Sequence, residues 1–252
     1  MLSARSSVEA FHLVFLRALA ARAEDKALIA LKGGCNLRFY FGSVRYSEDI
    51  DFDVVTLGTG TSKNKVERLL AGPLVGAPLR ALGIEVADVS APKQTPTTQR
   101  WKLGLRLAGS SVLLRTKVEF SRRNAIEGAA FEATPREVTR AYGVGPVLAT
   151  HYGLRAAISQ KLHALHGRAE PQARDVFDLA LLFAKQRAPL ALEADERGWL
   201  PLAIDHAIGI SYDEFSAKVV AYLDSEQAGP YRSRAAWQEL QERVVSELEA
   251  LA

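Results

Sequence analysis

One stretch in the N-terminal part of the chain limits what it can fold into. Residues 27–31 form a short apolar run, a Gly-Gly turn follows at 33–34, and the next apolar segment is about two helical turns long. Asp49, Asp51 and Asp53 then alternate with apolar residues. Because side chains at i, i+2 and i+4 of a strand point to one face, the spacing predicts three carboxylates crowded together.

Crowded carboxylates need a positive charge beside them. Like charges at short range raise one another's pKa unless a cation offsets them, and hard divalent cations such as Mg²⁺ take carboxylate oxygens. The amides of Gly33 and Gly34, with no Cβ in the way and close to a helix start, suit phosphate oxygens. The stretch therefore predicts phosphoryl or nucleotidyl transfer. The alternative is an exposed acidic strand, which is disfavoured because Asp is depleted in strands.

The same stretch carries a family resemblance. The run K-G-G-C-N-L-R-F, followed by R-Y-S-E-D-I-D-F-D, resembles the first motif of the AbiEii/AbiGii-type nucleotidyltransferase toxins of the DNA polymerase β-like superfamily. The resemblance implies an α/β (α+β) fold, with a mixed sheet in a polymerase β-like domain and a helical C-terminal domain. It also implies transfer of an NMP from an NTP to the 3′ end of tRNA, a block of translation, and a cognate antitoxin as partner.

The metal ligands follow from the acidic strand and a predicted hairpin. The S-x-D-x-D spacing favours Asp49 and Asp51 as ligands of Mg²⁺, and Asp53 replaces Asp51 if the register is shifted. Residues 100–107 and 112–120 alternate around a short loop, which predicts two antiparallel strands. The second of these strands offers Glu119 as a third metal ligand.

An alternative for Glu119 stays open. It is an exposed strand residue, paired in charge with Lys117 or Arg122. The functional interpretation is favoured because the resembled sites need a carboxylate beyond the D-x-D pair, and Lys117-Val118-Glu119 resembles the family's Lys-hydrophobe-acid pattern.

Three residues near the acidic strand are candidate nucleotide ligands. Ser47 lies two positions before Asp49 and is a candidate γ-phosphate ligand, although a capping role accounts for it almost as well. Lys32 and Arg45 either contact phosphates or neutralise the aspartates.

A second constellation lies in the C-terminal half. The segment from Lys161 to R-D-V-F-D-L at 174–179 resembles the family's later motif. The resemblance implies that Lys161 binds the nucleotide phosphates and that Asp175 is a functional acid. The alternative is a helical hairpin tied by a Lys161–Asp175 or an Arg174–Asp178 interaction.

The pattern along the chain predicts two domains, a catalytic domain at 1–134 and a helical domain at 135–252. The boundary is placed at Thr134-Pro135, where strand-like alternation gives way to helical periodicity. The predicted helices of the second domain are 154–166, 172–186, 200–208, 212–223 and 233–251.

Composition excludes several protein classes. No apolar run approaches the roughly 18 residues that a membrane span needs, no secretory signal is evident, and a single cysteine forms no internal disulfide. We therefore expect a cytoplasmic protein without a membrane partner. The net charge is only +3, but basic residues collect between 100 and 123, which suits a polyanionic substrate such as NTP with RNA.

Three alternative functions remain open at this point. A small-molecule adenylyltransferase of the antibiotic-modifying kind has the same metal chemistry. Transfer of a phosphoryl or nucleotidyl group to a serine of this protein or of its partner is the second. A degenerate fold that only binds is the third, and the intact carboxylates argue against it.

Overall fold

The computed structural model describes residues 2–252, and the chain divides into two compact units. The sheet unit contains the described residues up to Tyr40 together with Ser47–Tyr152. The helical unit contains Phe41–Tyr46 and Gly153–Ala252. The helical unit is thus discontinuous in sequence, because it takes a six-residue segment from within the first unit's part of the chain.

The sheet unit is built on seven strands. The strands are β1 (Ile29–Lys32), β2 (Asp49–Val54), β3 (Ile84–Gln94), β4 (Thr98–Leu107), β5 (Leu113–Arg122), β6 (Ala129–Ala133) and β7 (Leu148–Tyr152). They pair in the order β3-β4-β5-β2-β1-β7-β6. The sheet is mixed, since β2 runs parallel to β5 and β1 runs parallel to β7, while the other neighbours are antiparallel.

Helices complete this unit. They are α1 (Ala4–Leu19), α2 (Gly33–Tyr40), α3 (Thr59–Ala71), α4 (Pro73–Ala81) and α5 (Arg136–Ala141), with a 3₁₀ turn at Ala23–Ala27. The Ser3 side chain caps α1 by accepting from the amide of Ser6.

The core of the sheet unit lies on the sheet face opposite the aspartates. Phe15 of α1 packs on Phe52 of β2, with ring centroids 6.2 Å apart, and Phe52 packs edge-on against Phe120 of β5. Trp101 of β4 extends this aromatic row. Because strand side chains alternate, burying Phe52 turns Asp51 to the other face. The core therefore fixes which face of the sheet carries the acids.

The predicted hairpin is present as β4 and β5, but the sheet extends further along the chain than the sequence indicates. The predicted boundary at Thr134-Pro135 falls between β6 and β7, and the first unit ends at Tyr152 instead. The physical reason is that β7 pairs in parallel with β1. A five-residue strand whose partner is distant in sequence leaves little local signal.

The helical unit contains six α-helices among its described residues. They are α6 (Leu154–Gly167), α7 (Ala173–Lys185), α8 (Ala194–Gly209), α9 (Tyr212–Lys218), α10 (Ser225–Ala228) and α11 (Arg234–Glu249), with 3₁₀ turns at Val220–Tyr222 and Gly229–Tyr231. Its core includes Phe215, which stacks on Trp237 with centroids 4.3 Å apart. None of the helices described in residues 2–252 is both long and apolar enough to cross a membrane.

Two predicted helices differ from those observed. Helix α8 begins at Ala194, six residues before the predicted start, because Glu193 and Glu196 form a capping box there. The predicted helix 212–223 ends as α9 at Lys218 and continues as a 3₁₀ turn.

Candidate active site

The turn between β1 and α2 brings Gly33 close to the acidic strand. Gly33 opens α2 with φ of +67°, a conformation that suits glycine, and Gly34 follows it in the first turn. A Cβ built on Gly33 would lie 3.1 Å from Oδ2 of Asp51. The absence of a side chain therefore keeps the space beside the Asp51 carboxylate open.

The three aspartates of β2 lie on one face of the strand, as the alternation predicts, while Ile50 and Phe52 are buried on the other. Their surroundings differ. Burial, and next the charge of Asp49, raises the pKa of Asp51 from 3.8 to about 6. Within residues 2–252 the Asp51 carboxylate forms no hydrogen bond and no ion pair. It is the carboxylate of this strand that most needs an external cation.

The other two aspartates are partnered. Nζ of Lys117 lies 2.6 Å from Oδ2 of Asp49. Asp53 is 3% exposed; Nζ of Lys32 lies 2.6 Å from its Oδ1, Nε of Arg123 lies 3.2 Å from the same oxygen, and the Tyr152 hydroxyl donates to its Oδ2. Asp53 is thus held in the structure by its own partners, and Lys32 serves here to neutralise an aspartate.

Glu119 is brought next to Asp51, because β5 and β2 pair in the register Asp51–Glu119. Its Oε2 accepts a hydrogen bond from Nε of Arg100 at 2.5 Å. The charge partner is therefore Arg100, and not Lys117 or Arg122.

The donor set fits a metal that is only partly enclosed by protein. Among residues 2–252, no three His, Cys, Asp or Glu side chains are grouped so that they could hold an ion. Mg²⁺ is commonly bound by one or two carboxylates and completed by substrate phosphates and water, rather than by an all-protein cage. Asp49 and Asp51, beside the space that Gly33 leaves open, match that requirement.

Ser47 points its hydroxyl at the backbone. It is 7% exposed, and its Oγ donates to the carbonyl of Asp49 at 3.0 Å. The Cys35 thiol donates to the same carbonyl at 3.2 Å. Two side chains thus fix the backbone from which the Asp49 carboxylate projects.

A buried polar chain lies behind that backbone, and sequence reasoning missed its role. Oγ1 of Thr116 donates to the carbonyl of Glu48 at 2.7 Å, which uses its only proton. Nε2 of His12 lies 2.7 Å from Oγ1 of Thr116 and must therefore donate to it, which leaves Nδ1 without a proton. Sγ of Cys35 lies 3.4 Å from Nδ1, but its one proton goes to the carbonyl of Asp49. Burial lowers the pKa of His12 to about 3, so the ring is neutral.

A sequence signal for this chain does exist. His12 sits on the apolar face of α1 and Thr116 on the buried side of β5. A polar residue at a core position needs a partner, but the sequence does not reveal which one.

The helical unit holds the second predicted constellation. Nζ of Lys161 lies 3.0 Å from Oδ1 of Asp175 and 2.6 Å from Oδ2 of Asp178, and both carboxylates are fully buried. Arg45 forms a two-pronged pair with Asp178, and Nε of Arg168 lies 3.0 Å from Oδ2 of Asp175. Arg45 thus neutralises Asp178, a residue outside the β2 cluster that the sequence suggested for it.

The charges in this cluster are mutually supported. Burial opposes ionisation of Lys161, but Asp178 and Asp175 raise its pKa above the ordinary value. Burial likewise opposes ionisation of Asp178, but Arg45 and Lys161 hold its pKa below the ordinary value. Lys161 therefore keeps a full positive charge at neutral pH.

The predicted site residues fall into both units. The sheet unit contains Lys32, Gly33, Gly34, Ser47, Asp49, Asp51 and Glu119, and the helical unit contains Arg45, Lys161 and Asp175. The Lys161–Asp175 contact that the sequence offered as an alternative is present, joined by Asp178 and Arg45.

Comparisons with known proteins give the family context. The family model described as "Nucleotidyl transferase AbiEii toxin, Type IV TA system" matches residues 14–250. JHP933 from Helicobacter pylori is 19% identical with a TM-score of 0.62, and the match covers 99% of this chain and 96% of that one. A candidate nucleotidyltransferase from H. pylori is 17% identical with a TM-score of 0.61, covering 100% and 99%. No curated protein matches the chain.

At these sequence identities the two solved structures indicate the fold alone. Together with the seven-stranded mixed sheet, they confirm the predicted fold class. The family match confirms the resemblance that the sequence motifs indicate.

Proposed function

The chain belongs to the AbiEii family of nucleotidyltransferase toxins, and from that premise we propose that it transfers an NMP from an NTP to the 3′-terminal hydroxyl of tRNA with Mg²⁺ as cofactor. Membership of a toxin–antitoxin family also implies an antitoxin partner and an NTP substrate. The tRNA acceptor, the metal and the resulting block of translation are the proposed parts. The observation that supports the metal is the Asp51 carboxylate, which lies beside Gly33 and has no hydrogen-bond or ion-pair partner among residues 2–252. The tRNA acceptor and the block of translation are inferred from the family.

The residues of the sheet unit would hold the metal and the phosphates. Asp49 and Asp51 would be the metal ligands, with Glu119 alongside them, and the amides of Gly33 and Gly34 would bind phosphate oxygens. A bound Mg²⁺ supplies charge that offsets the phosphate oxygens and orients them. Lys117 holds Asp49 in place before substrate binds. Lys32 and Ser47 would approach the phosphates only by giving up the bonds they make here.

The reaction itself is a single displacement. The acceptor oxygen forms a bond to the α-phosphorus, the bond from that phosphorus to the pyrophosphate oxygen breaks, and the hydroxyl proton leaves to solvent. Lys161, whose charge is maintained by Asp175 and Asp178, would bind phosphate oxygens of the nucleotide, and Asp175 would position it. Arg45 would act through Asp178.

The test is transfer of label. Pure protein is incubated with total tRNA, Mg²⁺ and each α-³²P-labelled NTP, beside the variant Asp51→Asn. We expect label on tRNA with the parent protein and a loss of roughly a hundredfold or more with the variant, because a metal ligand is removed. Asp88→Asn is the matched control, since Asp88 is an exposed aspartate of the same sheet paired with Arg115.

Three other results would contradict the proposal. Label on a small-molecule acceptor indicates an adenylyltransferase of the antibiotic-modifying kind. Label on the protein itself, read from intact mass, indicates transfer to a serine. Equal activity of the parent and of Asp51→Asn would remove Asp51 from the site.

A further inference from the structure

The exposed face of the sheet continues from the aspartates across three more strands, and its charge changes sign along the way. The register places Asp49 beside Lys117 on β5, Lys117 opposite Lys102 on β4, and Lys102 opposite Ser90 on β3. The next row, two residues along, runs from Asp51 through Glu119 and Arg100 to Lys93. Acids occupy the β2 end of both rows, and bases follow on β5 and β4 in the first row and on β4 and β3 in the second.

Four cations of these rows form a compact group, here called the basic block: Lys93, Arg100, Lys102 and Lys117. Two cross-strand pairs within it carry like charges directly opposite each other, Lys102 with Lys117 and Arg100 with Lys93. Such pairs destabilise a sheet. A surface that keeps two of them side by side points to a ligand of opposite charge.

Intramolecular acids neutralise only two of the four cations of the block. Arg100 is paired with Glu119 and Lys117 with Asp49, but Lys93 and Lys102 form no ion pair among residues 2–252, and both are exposed. The remaining cations of this face have their own partners, since Arg115 pairs with Asp88 and Arg106 with Glu85. The excess positive charge is therefore concentrated beside the aspartates rather than spread over the sheet.

We propose that the basic block binds the phosphodiester backbone of a single-stranded nucleic acid whose 3′ end reaches Asp49 and Asp51. This rests on the proposed function and names the surface that holds the acceptor strand. Neighbouring strands lie about 4.8 Å apart and alternate residues about 6.8 Å apart, so the block spreads its charges over more than one phosphate. The buried residues of the opposite face, among them Trp101 and Val118, make the block a rigid platform.

The experiment measures RNA binding and its salt dependence by fluorescence anisotropy of a short labelled single-stranded RNA. The test variant is Lys93→Gln with Lys102→Gln, neither of which belongs to the proposed catalytic set. The control is Lys63→Gln with Lys218→Gln, two exposed lysines on α3 and α9 that remove the same charge elsewhere.

We expect the test variant to bind RNA roughly tenfold more weakly near physiological salt, with a salt slope smaller by about 1.4, because each phosphate contact on a single strand contributes about 0.7. The control should behave as the parent. NTP binding should be unchanged, and thermal unfolding should occur at the same temperature or a higher one because repulsion is relieved.

The outcomes separate the two proposals. If the test variant and the control bind RNA equally well while tRNA labelling persists, RNA binding by the basic block is ruled out and the proposed function stands. If the parent neither binds RNA nor labels tRNA, both the proposed function and RNA binding by the basic block are ruled out. Preferential binding of polyglutamate, lost in the same variant, would assign the block to an acidic protein and overturn the nucleic-acid assignment.

Discussion

At the scale of single residues, the site is a set of carboxylates with different degrees of compensation. Asp53 contacts two cations and a hydroxyl, and Asp49 contacts one lysine. Asp51 contacts no cation and no hydroxyl among residues 2–252. A half-buried carboxylate without a partner destabilises the folded chain unless a ligand supplies the charge. The ionised Asp51 carboxylate thus lowers the free energy of unfolding, and we propose that the cation binds there.

The pH dependence of stability should reveal this. Asp51 releases its proton near pH 3.8 in the unfolded chain and near pH 6 in the folded one, so the folded protein binds more protons between these values. Its free energy of unfolding therefore falls as the pH rises through that window. We expect Asp51→Asn, in EDTA, to be more stable than the parent above about pH 6, by at most about 3 kcal/mol. Urea denaturation across the pH range measures it.

The comparison has an internal control. Asp49→Asn should give no stabilisation, because it removes the partner of Lys117. Added Mg²⁺ should stabilise the parent and not Asp51→Asn. A stability difference between parent and Asp51→Asn that is the same at all pH values would rule out the titration as its cause.

Local sequence reasoning placed the aspartates on one face because that inference needs only the two-residue period of a strand. It left open whether Asp51 or Asp53 is the second metal ligand. The groups that contact Asp53, Arg123 and Tyr152, come from segments distant along the chain. The same limit applies to Arg45, whose partner Asp178 lies 133 residues away.

At the scale of elements, hydrogen bonds from neighbouring elements fix the backbone where β2 begins. Thr116 of β5 donates to the carbonyl of Glu48 and accepts from His12 of α1, while Cys35 of α2 donates to the carbonyl of Asp49. Three elements therefore meet at the point where the acidic strand begins. Because the backbone there is fixed, the Asp49 carboxylate keeps its direction without help from a ligand.

Removing the central hydroxyl tests this arrangement. Thr116→Val leaves the Glu48 carbonyl and the Nε2–H of His12 without a partner, which should lower the free energy of unfolding by about 1–3 kcal/mol. We also expect the Mg²⁺ concentration for half-maximal transfer to rise roughly tenfold, because the ligand strand is no longer preorganised.

Thr116→Ser should restore both properties, since it keeps the hydroxyl. Titration of Mg²⁺ in the labelling assay and urea denaturation give the two readouts. Loss of stability with an unchanged Mg²⁺ requirement would show that the hydroxyl supports the fold alone.

The sequence predicted most elements around the site and missed one edge of the sheet. Strong alternation and a short loop identified the β4–β5 hairpin, and the acidic pattern identified β2. Strand β7 is short, follows a loop containing Gly and Pro, and is stabilised by pairing with β1 across the chain. Such pairing leaves no local period to detect.

At the scale of the whole molecule, the helical unit is closed by a buried charge cluster rather than by apolar packing alone. Lys161, Arg168 and Arg45 surround Asp175 and Asp178. Through Arg45 the cluster includes the segment Phe41–Tyr46, whose Tyr46 amide also donates to the carbonyl of Tyr222. The unit is complete only when that segment is in place.

Breaking this cluster should unfold the helical unit at lower denaturant. Asp178→Asn removes a buried negative charge that Arg45 and Lys161 both contact, and we expect a loss of about 3–5 kcal/mol in the free energy of unfolding. Asp213→Asn is the matched control, because Asp213 also pairs with an arginine but is 79% exposed, against 0% for Asp178. Guanidinium denaturation followed by Trp fluorescence measures both, and similar midpoints for the two variants would exclude a stabilising role for the cluster.

The segment Phe41–Tyr46 affects how the protein can fold during its synthesis. A ribosome releases residues 41–46 early, whereas the helices that complete their unit begin only at residue 153. Until α7 emerges, the Asp178 carboxylate that binds Arg45 has not been made, and the segment that precedes β2 lacks this anchor. A nascent or truncated chain therefore lacks a complete helical unit, and the folded enzyme forms only after synthesis of the whole polypeptide.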